Sequence, residues 1–329
     1  MNKRQMSDAQ KEKTIAAIVV VLSISVLAGH VAESGNGWFR DLSYTLRQFI
    51  DPVQYMISML VLNFIFVIAA IRKYKQYPNP FIDTLKWYFS ILMINDFLIL
   101  VLRIIQKENF ITLSSGMTFG VGRSYMMLAA ARGMLDLTMT SAATLLLVYG
   151  LIKYRPCNGE GPPGIGEKIG RTMLGLIVFN WLVSIPVNFS GFMSGRALFA
   201  WSLGMGQLAQ VGIAALIYWV VKEYHRHYHM RFYRYLTWYF GISFILTGLN
   251  FTYSMGSFGI IQRFPAGEVE LIGGFGQFVY YLSRITQVLL NYIMFIAITG
   301  YAEQNTPGIV CPKQGSPKPN TAGLSNVQR

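Results

Sequence analysis

Four ionisable residues lie within long apolar stretches of this sequence. They are Asp96, Arg132, Asp136 and Arg284. A charge at the centre of a membrane costs roughly +3 kcal/mol on insertion scales, so such residues usually pair with one another or serve a function. Arg132 and Asp136 are four residues apart and would share one face of a helix. The sequence therefore predicts a neutral, buried polar centre, which Thr140 and Gln287 would extend.

Two interpretations of this centre stay open. A buried set of acidic and basic groups can form an ion or proton pathway, or bind a charged ligand. A neutral cluster can equally be a clamp that fixes how helices pack.

Two Asn residues occur in similar contexts. Asn188 lies in the segment PVNFSG and Asn250 in GLNFTY, each near the end of an apolar stretch. They could line a vestibule on the outer side of a membrane. The alternative is that two helices use similar small and polar residues for packing.

The sequence shows no catalytic pattern. It lacks HExxH, CxxC, phosphate-loop and Ser-His-Asp arrangements, so a non-enzymatic role is favoured.

His225 and His229 could share a helix face, but the neighbouring Arg226 and Arg231 favour a basic loop that binds lipid headgroups, and no metal site is predicted. Cys157 and Cys311 are not expected to form a disulfide.

The elements that must position these residues are long and apolar. Hydrophobic residues make up 53% of the 329 residues and charged residues 13%, which indicates an integral membrane protein. Eight segments approach or exceed the ~20 residues needed to span a bilayer. They are 14–32, 52–71, 87–106, 124–152, 171–193, 197–221, 233–256 and 276–300. The expected fold is an all-α, polytopic bundle of eight transmembrane helices.

The basic residues alternate between rich and poor loops along the chain. Most of the 28 Lys and Arg fall in the two tails and in every second loop. By the positive-inside rule, both termini are expected to face the cytoplasm. The net charge of +13 then reflects topology and contact with anionic lipid, and nucleic-acid binding is not expected.

We expect three parts in the chain. Residues 1–33 form a cytoplasmic tail and a first transmembrane helix, for which a signal peptide is the alternative. Residues 34–302 form a seven-helix membrane core. Residues 303–329, with several Pro, form a flexible cytoplasmic tail.

The third helix of this core carries a motif that resembles the microbial (type 1) rhodopsins. Residues 132–142 read RGMLDLTMTSA. Asp136 and Thr140 match the family's acidic counterion and the Thr four residues after it, whereas Arg132 is one residue early and Ala142 replaces a Pro. The resemblance covers about residues 52–300 and implies a seven-helix sensor or ion-conducting protein. An additional N-terminal helix is similar to that of the family's enzyme-linked members.

The last helix departs from this family. Residues 276–300 contain no Lys, and Arg284 or Val288 stands where the family has the Lys that binds retinal. Arg does not form a Schiff base, so covalent retinal is not expected. A non-covalent apolar ligand or lipid stays open.

Two functional hypotheses follow. The first is an integral membrane sensor or ion-conducting protein with a rhodopsin-like core. The second is a non-catalytic subunit of a larger membrane complex. The expected partners are membrane lipids, and either a second copy of the chain or other membrane subunits. The location is a plasma, bacterial inner or organellar membrane.

Overall fold

The computed structural model describes residues 3–34, 45–46, 52–78, 80–114, 121–153, 165, 167–188, 196–260 and 266–301. Within them the chain forms eight long α-helices and no strand. The helices are α1 (Lys3–Ser34), α2 (Pro52–Gln76), α3 (Pro80–Ser114), α4 (Val121–Lys153), α5 (Glu167–Asn188), α6 (Arg196–Tyr228), α7 (Arg231–Ile260) and α8 (Ala266–Thr299). Each overlaps one predicted segment, and the all-α expectation is confirmed. The predicted tail, 303–329, lies outside the described residues.

Seven of these helices are long and apolar enough to cross a membrane. The spans are Gln10–Ala32, Tyr55–Gln76, Phe81–Ile105, Ala130–Lys153, Lys168–Val187, Ser202–Tyr228 and Phe278–Thr299. α7 does not belong to this set, because Asn250 and its many Tyr, Thr and Ser residues lower its hydropathy. These seven candidate spans support the prediction of a multi-pass integral membrane protein.

The exterior of the bundle is apolar along the helices. Large hydrophobic side chains such as Val21, Phe64, Phe97, Leu182 and Ile245 are each about half exposed or more. A soluble protein rarely leaves so much continuous apolar surface in water. Here the surface is suited to contact with lipid chains.

The helices pack in chain order. Each helix contacts the next from α1 to α8, and α8 returns to contact both α1 and α2. Helices α2 to α8 thus close a ring of seven, and α1 packs outside it against α2 and α8.

A very short connection makes α6 and α7 antiparallel neighbours. Only His229 and Met230 separate them, and His229 adopts a positive φ of 52°. This left-handed residue ends α6, and its amide donates to the His225 carbonyl at 2.9 Å. The His run predicted near this loop thus forms the end of a helix.

The inner end of the bundle is the end at which α2, α4, α6 and α8 finish. A cluster of fully buried aromatic side chains closes it. Its members are Phe81, Tyr224, Tyr228, Phe232, Tyr233 and Tyr301, and we call it the aromatic seal. Phe232 lies 5.7 Å from Phe81 and 5.2 Å from Tyr301 between ring centroids, in edge-to-face geometry. The seal joins α3, α6, α7 and Tyr301, which lies two residues beyond the end of α8.

Helices α3 and α4 approach closely at Gly150. A Cβ atom at this position would lie 2.5 Å from Thr84 Cγ2, within the range that atoms cannot occupy. Gly175 on α5 has open space instead, with nothing within 4 Å of a Cβ.

We therefore expect opposite effects from two identical substitutions. Gly150→Ala should lower the free energy of unfolding by about 1–3 kcal/mol through overpacking. Gly175→Ala should leave it unchanged or raise it by up to ~1 kcal/mol, because Ala has the higher helix propensity. Unfolding of the detergent-solubilised protein with increasing SDS measures both. Equal effects of the two changes would contradict the close α3–α4 contact.

Candidate functional site: a polar cavity inside the bundle

Two adjoining chambers lie between the helices of the ring, and both are open to the outside of the bundle. The outer chamber, of about 410 Å³, lies between α4, α5 and α6. The inner chamber, of about 320 Å³, is lined by residues of α3 to α7. The two share Leu137, Thr140 and Gln210 as lining residues, so they meet at that level. Together they form one cavity on the α3–α7 side of the bundle.

The lining of this cavity is unusually polar for a membrane interior. Apart from the phenols of Tyr88 and Tyr239, its hydroxyl, amide and carboxyl side chains come from four helices. They are Asp136, Thr140, Ser141, Thr144, Asn180, Ser184, Ser202, Gln207, Gln210, Ser243 and Thr247. Polar side chains of membrane helices usually face other helices or water-filled cavities, because lipid offers them no hydrogen bonds.

Most of the hydroxyl groups use their hydrogen within their own helix. Thr140 donates to the Asp136 carbonyl at 2.6 Å, Thr144 to the Thr140 carbonyl at 2.8 Å, and Thr247 to the Ser243 carbonyl at 2.8 Å. A hydroxyl that donates in this way keeps lone pairs that can accept. The buried Asn180 Oδ1 also has no hydrogen-bond partner among the described residues. The cavity thus presents mainly acceptor oxygens, which suit a cation or a ligand rich in donors.

Asp136 carries the only ionisable carboxyl group among the described residues that line the two chambers. Its Oδ1 accepts a hydrogen bond from Asn95 Nδ2 of α3 at 2.8 Å. No Lys or Arg of the described part of the chain lies within 4 Å as a salt-bridge partner. Asp136 is an exposed residue of α4, so its carboxylate lines an open chamber with an amide partner and without a neutralising cation among the described residues.

Asp96 follows Asn95 in α3 and forms a second amide–carboxylate pair. It is 9% exposed, and its Oδ2 accepts from Asn63 Nδ2 of α2 at 2.6 Å. The carboxyl groups of Asp96 and Asp136 are near enough to interact electrostatically. Two acidic side chains therefore lie close together across α3 and α4, each held by an Asn of a neighbouring helix.

The predicted pairing of these acids with arginine is not observed. Arg132 has no hydrogen-bond or ion-pair partner among the described residues, including Asp136. Arg284 lies elsewhere, with its Nη1 3.3 Å from His30 Nε2 on α1 and its guanidinium over the Tyr280 ring. The expectation of one neutral cluster was wrong in this respect. A sequence gives the spacing within each helix but not the rotation of one helix against another.

Arg284 belongs to a separate polar chain across α8, α1, α2 and α3. The His30 ring lies 5.1 Å from that of Tyr55, whose hydroxyl accepts from Arg103 Nη1 at 2.5 Å. We call His30, Tyr55, Arg103 and Arg284 the cationic cluster. It reaches α1 and α8, whereas the acidic pairs join α2 to α3 and α3 to α4.

The remaining predicted site residues have different surroundings. Thr140 lines both chambers. Gln287 donates to Asn291 Oδ1 at 3.0 Å, and Asn291 in turn donates to Ser23 of α1 at 3.0 Å, so Gln287 belongs to the α1–α8 contact. Asn250 is partly exposed and lines neither chamber. The side chain of Asn188 lies outside the described residues.

Sequence reasoning missed Asn63, Asn95 and His30. Each is a single polar residue in an apolar stretch, as Asp96 and Asp136 are. Treating uncharged amides and His at membrane depth like charged residues would have found them. Neither chamber has a described lining residue from α8, the helix in which the rhodopsin family binds retinal.

Comparison with known proteins gives no match. No protein-family model, no curated protein and no solved structure shows significant similarity to this chain.

The Asn63–Asp96 pair can be tested by a double-mutant cycle. Asn63→Leu should cost about 2 kcal/mol of unfolding free energy, because it leaves a buried carboxylate without its donor. Asp96→Leu in the same chain should recover part of this loss, since replacing both partners by apolar groups removes the unsatisfied group. SDS unfolding measures the four free energies. Asn250→Leu is the matched control, with an expected change within about 0.5 kcal/mol. Additive effects at Asn63 and Asp96 would show that the two do not interact.

Proposed function

We propose that this chain is an integral membrane sensor or ion-conducting protein that admits a cationic or donor-rich polar ligand into its interior. The observation that carries the proposal is the Asp136 carboxylate, which lines the outer chamber with one amide partner and no cation among the described residues. The ligand would be bound non-covalently.

The electrostatics of the cavity support a cation. A carboxylate in a membrane interior is costly unless it is paired or faces a water-filled space. Asp136 has no paired cation among the described residues, and it lines a chamber of about 410 Å³. A bound cation would supply the missing opposite charge, and the neighbouring acceptor oxygens would complete its coordination.

The aromatic seal supports a gated function. It lies at the inner end, beyond the inner chamber, and its side chains are less than 2% exposed. An ion that enters at Asp136 would have to displace these rings to pass through. A sensor would instead use ligand binding to shift them. The resemblance to the rhodopsin family, on Asp136 and Thr140, is compatible with either role.

We also propose that α7 crosses the membrane, which makes eight crossings and leaves both termini cytoplasmic. α7 has 30 residues, so at ~1.5 Å per residue it is about 45 Å long and reaches across a bilayer. It packs along α6 and α8 and follows α6 after two residues, which makes it antiparallel to a spanning helix.

A second candidate function is that of a subunit in a membrane complex. It is favoured by Gln287, whose exposed side chain lies beside the α1–α8 contact and donates to Asn291 of its own helix. An amide on a lipid-facing surface often hydrogen-bonds to a neighbouring transmembrane helix. A partner subunit or a second copy of the chain would supply that helix. Copurification of a stoichiometric partner that is lost in Gln287→Leu would favour this role over the first.

The topology proposal is tested by reporters fused to each terminus. A reporter active only in the cytoplasm should be active at both ends, because eight crossings return the chain to its starting side. Activity at one end alone would mean an odd number of crossings and would remove α7 from the spanning set.

The ligand proposal is tested by cation-dependent stability and flux. We expect Na⁺, K⁺ or tetramethylammonium to raise the unfolding temperature of the purified protein, because a ligand that binds only the folded state stabilises it. Asp136→Asn should weaken this binding roughly 10- to 100-fold, which corresponds to the loss of a ~1.5–3 kcal/mol interaction with a charged group. Flux of the same ions into liposomes then separates conduction from sensing.

Asp83→Asn is the control, since Asp83 pairs with Lys86 at 2.5 Å and lines neither chamber. It removes the same charge and should leave cation binding intact. Equal effects of both substitutions, or an unfolding temperature of the parent that no cation changes, would contradict the proposal.

A further inference from the structure

A groove lies on the outside of the bundle, at the inner end, between α1, α2 and α8. Its volume is about 490 Å³, within the ~300–1,000 Å³ usual for small-molecule sites. The described residues that line it are Lys11, Glu12, Ile15, Ile18, Ile65, Ile68, Ala69, Arg72, Lys73, Lys75, Gln76, Phe295 and Thr299. We call it the basic groove.

The floor of the basic groove is apolar and lies at membrane depth. Ile18 of α1 is 45% exposed and Ile68 of α2 is 41% exposed, and both belong to spanning segments. Phe295 of α8 is buried beneath them. From Lys11 at the rim to Ile18, α1 rises about 10 Å. The groove therefore runs from the membrane border into the hydrocarbon region.

The rim carries an excess of positive charge. Lys11, Arg72, Lys73 and Lys75 line it, and Glu12 is the one acidic residue among the described lining residues. Glu12 is near enough to Lys73 for their charges to interact, so it offsets part of the charge of the rim. The sum of the five formal charges is still positive. An anion at this rim would meet ammonium and guanidinium groups from two helices.

We propose that the basic groove binds an anionic phospholipid of the adjacent leaflet. Its phosphate would lie at the basic rim, where Lys and Arg bind phosphate oxygens by charge-assisted hydrogen bonds. One acyl chain would lie along Ile18 and Ile68. The order of charge and apolar surface in the groove matches the order of headgroup and chain in such a lipid. A free phosphate would gain nothing from the floor, and a zwitterionic lipid would gain less from the rim.

This lipid would contact α1 and the ring at once. Apart from the groove, α1 is linked to the ring by polar contacts such as Ser25 with Ser58 at 3.0 Å and Ser23 with Asn291 at 3.0 Å. The basic groove is formed by α1, α2 and α8, the same helices that these contacts join. A phospholipid bound there would therefore stabilise the packing of α1 against α2 and α8, whatever ligand the interior cavity binds.

The test is native mass spectrometry of the full chain with phosphatidylglycerol and with phosphatidylcholine. The parent should retain phosphatidylglycerol at a stoichiometry of one. The triple variant Arg72→Gln, Lys73→Gln, Lys75→Gln should bind it roughly 100-fold more weakly, at about fivefold per basic residue near a membrane surface. Ile68→Trp, which fills the floor and keeps every charge, should also weaken binding, by tenfold or more. Millimolar glycerol 3-phosphate should not displace the lipid.

Two matched controls complete the experiment. The variant Lys222→Gln, Arg226→Gln, Arg234→Gln removes three charges at the inner ends of α6 and α7, and Val178→Trp adds a Trp on the exposed face of α5. Both should bind phosphatidylglycerol as the parent does. Equal losses in the control triple variant would mean that the lipid responds only to overall charge. Unchanged binding in Ile68→Trp, or displacement by glycerol 3-phosphate, would mean that the rim binds phosphate alone. Either result would overturn the proposal, and Ile68→Trp tests it even if the first triple variant fails to fold.

Discussion

The presence of two carboxyl groups on helices that are otherwise apolar is the constraint on which the rest of this structure depends. Asp96 and Asp136 stand in segments that lipid would surround, and lipid offers a carboxylate neither water nor hydrogen-bond donors. The protein satisfies them with amides of neighbouring helices, Asn63 for Asp96 and Asn95 for Asp136. These two bonds link α2 to α3 and α3 to α4 at the level of the carboxyl groups. The cavity beside Asp136 is a consequence, because a carboxylate that keeps its charge needs polar space on its free side.

Helix number and order follow from the sequence because they depend on length and hydropathy alone. A run near 20 apolar residues forms a helix in lipid, since every backbone group must be hydrogen-bonded within it. Short links, such as the two residues between α6 and α7, then make chain neighbours into packing neighbours. Asp96, Asp136 and Thr140 could be selected as site residues on the same basis, because a polar residue within an apolar run can be recognised from the sequence alone.

The partners of these residues could not be predicted in that way. Arg284 has the right depth and charge to pair with Asp136, yet α8 packs against α1, α2 and α7, and Arg284 meets His30. Which side chains meet is decided by the rotation of each helix, and a rotation of one residue position, about 100°, changes the partner completely. Nothing in an isolated sequence fixes that angle when apolar residues lie on all faces of a helix. The polar cavity was missed for the same reason, because its hydroxyl groups are scattered over four helices and converge only in space.

The α2–α3 contact links the two polar regions of the bundle. Tyr55 and Asn63 are eight residues apart on α2, and Asp96 and Arg103 are seven apart on α3, so each pair lies about two turns apart on one helix face. Asn63 bonds to Asp96 at one level and Tyr55 to Arg103 at the other. A rotation or shift of α3 that changed the bond between Asn95 and Asp136 would therefore also move Arg103 against Tyr55. Since Tyr55 packs on His30, and His30 on Arg284, the described contacts connect the cavity to α1 and α8 through this one interface. Packed helices move as rigid units, so a ligand at Asp136 has a physical route to the outside helix that does not pass through the aromatic seal.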